Sequence, residues 1–240
     1  SSVDPVLNFG IGKITDIDSV RIIWSNNSTQ LLKAVKANQT LTIKQTDATL
    51  TWNYSLAKAA TIISTDTFSI DFTHTENNFN DFTVQGLLPA YLSRQGPCMA
   101  KADVNKDGRE DLFIGGAKGQ SAKLFLQSSA GTFIPVSSAA FENDKTSEDA
   151  AAVFFDADKD GDMDLYVGSG GYEFTENDLA LQDRLYINNG KGNFEMKVTG
   201  LPVMLMSTGT VAANDIDGDG DTDLFVGGRC VPGKYPLVPD

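Results

Sequence analysis

The C-terminal two thirds of the chain repeats a short cycle: an apolar run, an acidic polar stretch, then a second apolar run. Residues 98–102, 151–155 and 210–213 are small and apolar and predict three equivalent first strands. Residues 112–114, 165–167 and 224–226 predict second strands, apolar on both faces and therefore deep in the fold. Residues 124–126 and 185–187 predict third strands that run into Gly/Asn/Ser turns, with fourth strands beginning near Phe133 and Phe194. Helical periodicity is nearly absent. The pattern predicts an all-β chain with four short antiparallel strands per repeat, which is how a propeller blade reads in sequence.

The repeat can be measured. Asp103, Asp156 and Asp215 open equivalent acidic stretches 53 and 59 residues apart, within the range of propeller or solenoid units. Residues 123–133 match 184–194 at an offset of 61, which places about eight extra residues in the second unit, within 170–182. Upstream, residues 18–24 alternate, 25–29 read as a turn, and 30–35 and 40–44 read as further strands. The expected organisation is a small β module over 1–45, a connecting β and loop segment over 46–78, and the repeats over 79–240.

Charge sharpens this picture. The 240 residues carry a net charge of −13, and 25 of the 32 acidic residues are Asp. The three stretches 103–111, 156–164 and 215–223 together hold −11 of the −13. Such acidity argues against nucleic acid as a partner. Its concentration in Asp-rich turns points to local chemistry instead. The longest uninterrupted apolar stretch, 150–155, is far short of a membrane span, and residues 1–20 lack the pattern of a signal peptide. Cys98 and Cys230 are compatible with one disulfide or with two free thiols. With His74 as the single histidine they cannot build a conventional zinc site.

Each acidic stretch is a nine-position loop. Positions 1, 3, 5 and 9 carry Asp103, Asn105, Asp107 and Asp111; then Asp156, Asp158, Asp160 and Asp164; then Asp215, Asp217, Asp219 and Asp223. Position 6 is always glycine (Gly108, Gly161, Gly220), which permits a left-handed bend. Position 7 varies (Arg109, Asp162, Asp221), as suits a residue offering only its backbone carbonyl. Two carboxylates about 4 Å apart repel by roughly 1 kcal/mol in water and about 4 at an effective dielectric near 20, so four converging carboxylates need a cation. The oxygen set suits Ca2+, giving three expected sites, better than Mg2+ with its tighter octahedral demand. An EF-hand is excluded, because position 12 is Ile114, Val167 or Val226 inside a strand instead of a bidentate Glu.

These loops, with their Asp111-Leu-Phe-Ile-Gly-Gly116 continuation, resemble the FG-GAP/VCBS repeats of integrin α-subunit propellers and many bacterial surface proteins. The resemblance implies a partial β-propeller of four-stranded blades, with Ca2+ in the hairpin between each blade's first two strands. Phe9-Gly-Ile-Gly, Asp18-Ser-Val-Arg-Ile-Ile-Trp24 and Ala37-Asn-Gln-Thr-Leu-Thr42 are similar to the ASPIC/UnbV module, which accompanies such repeats in bacterial proteins and in cartilage acidic protein. Ser25-Asn-Asn-Ser stands where that module has a Pro-x-Gly turn. The combination implies an exported bacterial protein, extracellular, periplasmic or on the outer surface, whose propeller is a binding or adhesion scaffold for a protein or glycan. Propellers of this type close with about seven or eight blades, so two full repeats and a third ending after its second strand imply that the remaining blades lie outside this chain.

No nucleophile elbow, P-loop or dinucleotide fingerprint occurs, so no catalytic residue is assigned. His74, in a polar stretch, reads as a surface residue. The rival functional reading is part of a glycan-processing enzyme, since polysaccharide lyases can be built on similar propellers. The insert at 170–184, with Tyr172, Glu173, Phe174, Glu176, Asp178 and Asp183, is either a ligand-contacting loop or a solvated hairpin extension.

Overall fold

A computed structural model describes residues 6–54 and 70–239, and the chain divides into two compact units, Ser1–Asp66 and Thr67–Asp240. In the first unit, β1 (Asp16–Ile23) and β2 (Ser28–Lys36) pair antiparallel, with Ile22 opposite Gln30 and Asp16 opposite Lys36. Asn27 adopts φ +64°, and Asn26 Oδ1 accepts from the N–H and hydroxyl of Ser28 at 3.1 and 2.7 Å. The Asn pair thus makes the turn that Pro-x-Gly makes elsewhere, because Asn tolerates the left-handed region and bonds its own backbone.

Residues 40–44 do not form the strand their alternation predicts. The third strand is β3 (Leu50–Thr51), which lies in the segment read as connector and pairs with Thr29 and Ser28 of β2. Leu41 and Ile43 line a hollow with Leu31, Leu32 and Leu50, so their alternation reflects one-sided packing of a loop. The Arg21 guanidinium stacks over the Trp52 ring at 4.5 Å. Of the remaining connector, residues 55–69 lie outside the described residues.

The second unit opens with an irregular segment ordered around Asp81, which is fully buried and accepts from Ser93 N–H at 3.0 Å and from the Ser93 hydroxyl. Two four-stranded antiparallel sheets follow. The first runs β4 (Met99–Ala102), β5 (Asp111–Ile114), β6 (Lys123–Gln127), β7 (Phe133–Val136). After the single helical turn α1 (Ala139–Asn143) comes the second: β8 (Asp149–Phe155), β9 (Asp164–Ser169), β10 (Arg184–Asn188), β11 (Phe194–Met196). β12 (Ser207–Asn214) and β13 (Asp223–Cys230) form a two-stranded third sheet. The first strands lie side by side, β8 between β4 and β12, as the inner strands of successive blades do. The described strands form no closed barrel.

In the two four-stranded sheets the second strands are the deepest, as their two-faced apolarity predicts; in the third sheet the second strand is not. Every residue of β9 is buried, as are Phe113 and Ile114 of β5. Phe141 on α1 packs edge-on against Phe113 and Tyr186 at ring distances of 5.4 and 5.1 Å, sealing the junction between the blades. In the two-stranded third sheet Phe225, equivalent to Phe113 and Tyr166, is 59% exposed where those two are fully buried. Both cysteines are free. Burial pushes the Cys98 thiol up to about 12, which leaves it unreactive.

Candidate metal centre

Each acidic loop closes the hairpin between a blade's first two strands, β4–β5, β8–β9 and β12–β13. All three curl alike. The position-1 carboxylate accepts the N–H of the position-6 glycine: Asp103 from Gly108 at 2.7 Å, Asp156 from Gly161 at 3.0 Å, Asp215 from Gly220 at 3.1 Å. The position-9 carboxylate accepts the N–H of position 2: Asp111 from Val104 at 3.1 Å, Asp164 from Ala157 at 2.8 Å, Asp223 from Ile216 at 2.9 Å. The position-5 carboxylate accepts the N–H of position 7: Asp107 from Arg109 at 3.0 Å, Asp160 from Asp162 at 2.8 Å, Asp219 from Asp221 at 2.8 Å. The glycines sit at φ +83°, +82° and +89°, a region that side chains rarely adopt.

A second left-handed residue, at position 4, completes the curl: Lys106, Lys159 and Gly218 at φ +60°, +65° and +79°. Sequence reasoning missed it, although glycine at 218 is the signal that carries it.

The curl brings together Asp156, Asp158 and Asp164 in the second loop, and Asp215, Asp217 and Asp223 in the third. One ligand oxygen from each residue lies within 4.8 Å of the others, so both groups could hold a metal ion. The position-5 carboxylates of Asp160 and Asp219 stand outside these trios. In the first loop, where Asn105 replaces an Asp, no carboxylate trio forms among the described residues. There Asn105 Oδ1 accepts the Asp107 N–H at 3.1 Å, and Asp107 is ion-paired with Arg109.

The residues fit a cation on a further observation. Asp156 Oδ1 is shut off from solvent and has no hydrogen-bond partner, a costly state for a carboxylate oxygen, and the Lys106 and Lys159 charges that act on this carboxylate make no bond to that oxygen. Asp111 and Asp164 are fully buried. Burial holds both carboxyls above the ordinary carboxylate range, and the loops' own Asp charges add to this, while backbone N–H donors offset it. The donors from the third strands are Gln127, whose N–H reaches Asp111 at 2.8 Å, and Asn188, whose N–H reaches Asp164 at 2.8 Å. Position 9 therefore ties each of these two loops to the middle of its blade.

The position-7 side chains of the second and third loops turn to partners in the preceding loop, while that of the first pairs with Asp107 and also reaches the third strand. Arg109 donates to the Gln127 carbonyl at 2.7 Å, Asp162 pairs with Lys106, and Asp221 pairs with Lys159.

At the opposite end of the unit, the insert at 170–184 is solvated only at its tip, residues 175–177 and Leu179, while its two ends are packed into the unit. Tyr172 and Phe174 are buried, the latter under Lys118 Nζ at 4.2 Å. Glu173 accepts from Asn77 Nδ2 at 2.8 Å, Glu176 pairs with Lys234 at 2.5 Å, and Asp178 caps the turn Leu179–Leu181. Asp183 accepts from the Tyr166 hydroxyl at 2.6 Å and the Ser169 N–H at 2.7 Å, beside the buried Arg184–Asp149 pair at 2.6 Å. His74 is likewise not a surface residue. Its ring is only 13% exposed and bonds Glu76 at 3.0 Å, packed where Gly96 leaves room.

Four-stranded blades laid side by side, with equivalent hairpin loops at one end, define a repeat scaffold of the propeller type. Residues 103–167 and 175–226 match the FG-GAP-like repeat family, and residues 1–50 match the ASPIC and UnbV family. Residues 103–226 thus carry FG-GAP-like repeats, and residues 1–50 an ASPIC and UnbV module. The break between the two repeat matches falls where the insert begins. No curated protein matches the chain. No described helix is long and apolar enough to cross a membrane.

Proposed function

We propose that the chain is a calcium-binding propeller segment of an exported or cell-surface protein, serving as a rigid scaffold for recognition of a protein or glycan. The carrying observation is the enclosed, unpartnered Asp156 oxygen within a carboxylate trio that recurs at the same positions of the third loop. Positions 1, 3, 5 and 9 of each loop, with the carbonyls of Arg109, Asp162 and Asp221, would hold the ion. A divalent cation there supplies the positive charge that the buried position-9 carboxylates lack, and it locks each hairpin to its blade.

The test is calorimetric titration of metal-stripped protein. Three Ca2+ per chain are expected, with Mg2+ competing poorly. Absence of heat and of bound ion at millimolar Ca2+ would contradict the reading.

A further inference from the structure

The first two loops are physically joined. Val104, at position 2 of the first loop, lies beside the candidate ligand Asp103 and is 1% exposed. Its N–H is held by Asp111 of the same loop at 3.1 Å. Its carbonyl is held from the next blade, by Asn188 Nδ2 at 2.8 Å and Gly192 N–H at 3.1 Å. Asn188 is 3% exposed and fully engaged. Its N–H donates to Asp164 of the second loop at 2.8 Å, its Nδ2 also reaches the Met163 carbonyl at 3.1 Å, and its Oδ1 accepts from Gly192 at 3.1 Å. One side chain thus touches the position-2 carbonyl of one loop while its own backbone fixes the position-9 carboxylate of the next.

A second link runs in parallel. Lys106, at position 4 of the first loop, pairs with Asp162, at position 7 of the second; one repeat on, Lys159 pairs with Asp221 in the same way. The Asp162 side chain is only 10% exposed and lies against Gly190, where a Cβ would come within 2.5 Å of Oδ2. The position-4 to position-7 contact is therefore a repeated feature of the blade junction. The Asn188 bridge occurs once among the described residues, since the two-stranded third sheet has no strand equivalent to β10.

We propose that the first two loops bind Ca2+ as a coupled pair, occupancy of one raising the affinity of the other through Val104, Asn188 and, to a lesser degree, Lys106. The coupling rests on the calcium reading above. An ion that draws in Asp103 and Asp111 fixes the Val104 peptide next to them. The fixed carbonyl orients Asn188, whose N–H orients Asp164. The second ion then meets a site that has less freedom to lose, and the effect is reciprocal. Lys106 has the lesser share because an ion pair with one exposed partner contributes little. The junction between the second and third loops, where Lys159–Asp221 is the one ion pair among the described residues, couples weakly.

The test is Ca2+ titration of the full chain by calorimetry, with bound ions counted by native mass spectrometry. The third loop is disabled throughout (Asp215→Ala, Asp219→Ala) so that the affinity of the second can be isolated. Disabling the first loop as well (Asp103→Ala, Asp107→Ala) is expected to weaken the second about fivefold, the low end of site-to-site coupling. With Asn188→Ala present, the same step should change it by less than about twofold. Lys106→Gln alters only a surface side chain and should reduce the coupling partially, so a folding defect in the Asn188 variant leaves a second readout. Ions that bind the second loop equally well with the first intact or disabled would overturn the coupling and leave the calcium reading standing. Coupling that survives both variants would overturn this route for it. No bound ion at all would overturn the calcium reading itself.

Discussion

Glu148 is the most strongly perturbed carboxyl at the end of the unit opposite the loops. It is fully buried; one oxygen accepts the Lys118 N–H at 2.8 Å and the other has no partner. Burial, reinforced by the charges of Glu173, Glu76 and Asp149, pushes it up to about 8. Between its ordinary value of 4.5 and about 8 the folded chain holds a proton that the unfolded chain has released. Its contribution to stability is therefore complete below 4.5 and is lost as the pH rises through about 8. Glu148→Gln should flatten that decline, measured as the difference in melting temperature between about pH 6 and about pH 8.5. Equal slopes in variant and wild type would show that Glu148 titrates normally. In the loops, Asp160→Ala is expected to weaken the second site most, the first to a smaller degree through the coupling and the third least, without abolishing either of the others, seen as unequal shifts in a Ca2+ titration. Positions 1, 3 and 9 of the second and third loops, which the structure gathers, were legible in the sequence by their spacing. Position 4 was not, because a left-handed lysine carries no composition signal and only Gly218 betrays the bend.

Among the elements, the strands were the legible part. Second strands apolar on both faces, repeated three times, leave few alternatives, and β5, β9 and β13 contain the residues predicted for them, although only β5 and β9 are buried. The one-turn helix α1 escaped because five residues are too few to show a helical period, although Phe141 on it fills the blade junction. Phe141→Ala should cost about 3–5 kcal/mol, since the ring leaves a cavity among Phe113, Tyr186 and Phe194. Urea unfolding would measure it, and a loss under about 1 kcal/mol would mean that the junction repacks. Residues 40–44 misled because alternation reports which side is covered, not whether backbone groups pair. The insert at 170–184 was legible only at its exposed tip; the partners of its acids, such as Asn77 and Lys234, lie far away in sequence. No local pattern shows that.

For the whole molecule, the concentration of −11 of the −13 charge in 27 residues makes stability depend on what sits in the loops. At about 1 mM Ca2+ and a Kd of about 10 μM, each site that exists only in the folded chain adds roughly 2.7 kcal/mol. A chelator should therefore lower the melting temperature of the repeat unit by several degrees, with Ca2+ restoring it; an unchanged melt would mean that the ions contribute nothing to the fold. The most direct test of the central claim, that these aspartates wrap a divalent ion, is a crystal structure grown in millimolar Ca2+. An ion is expected inside the curls of 103–111, 156–164 and 215–223, with oxygens about 2.3–2.6 Å away. Water alone in all three would contradict it.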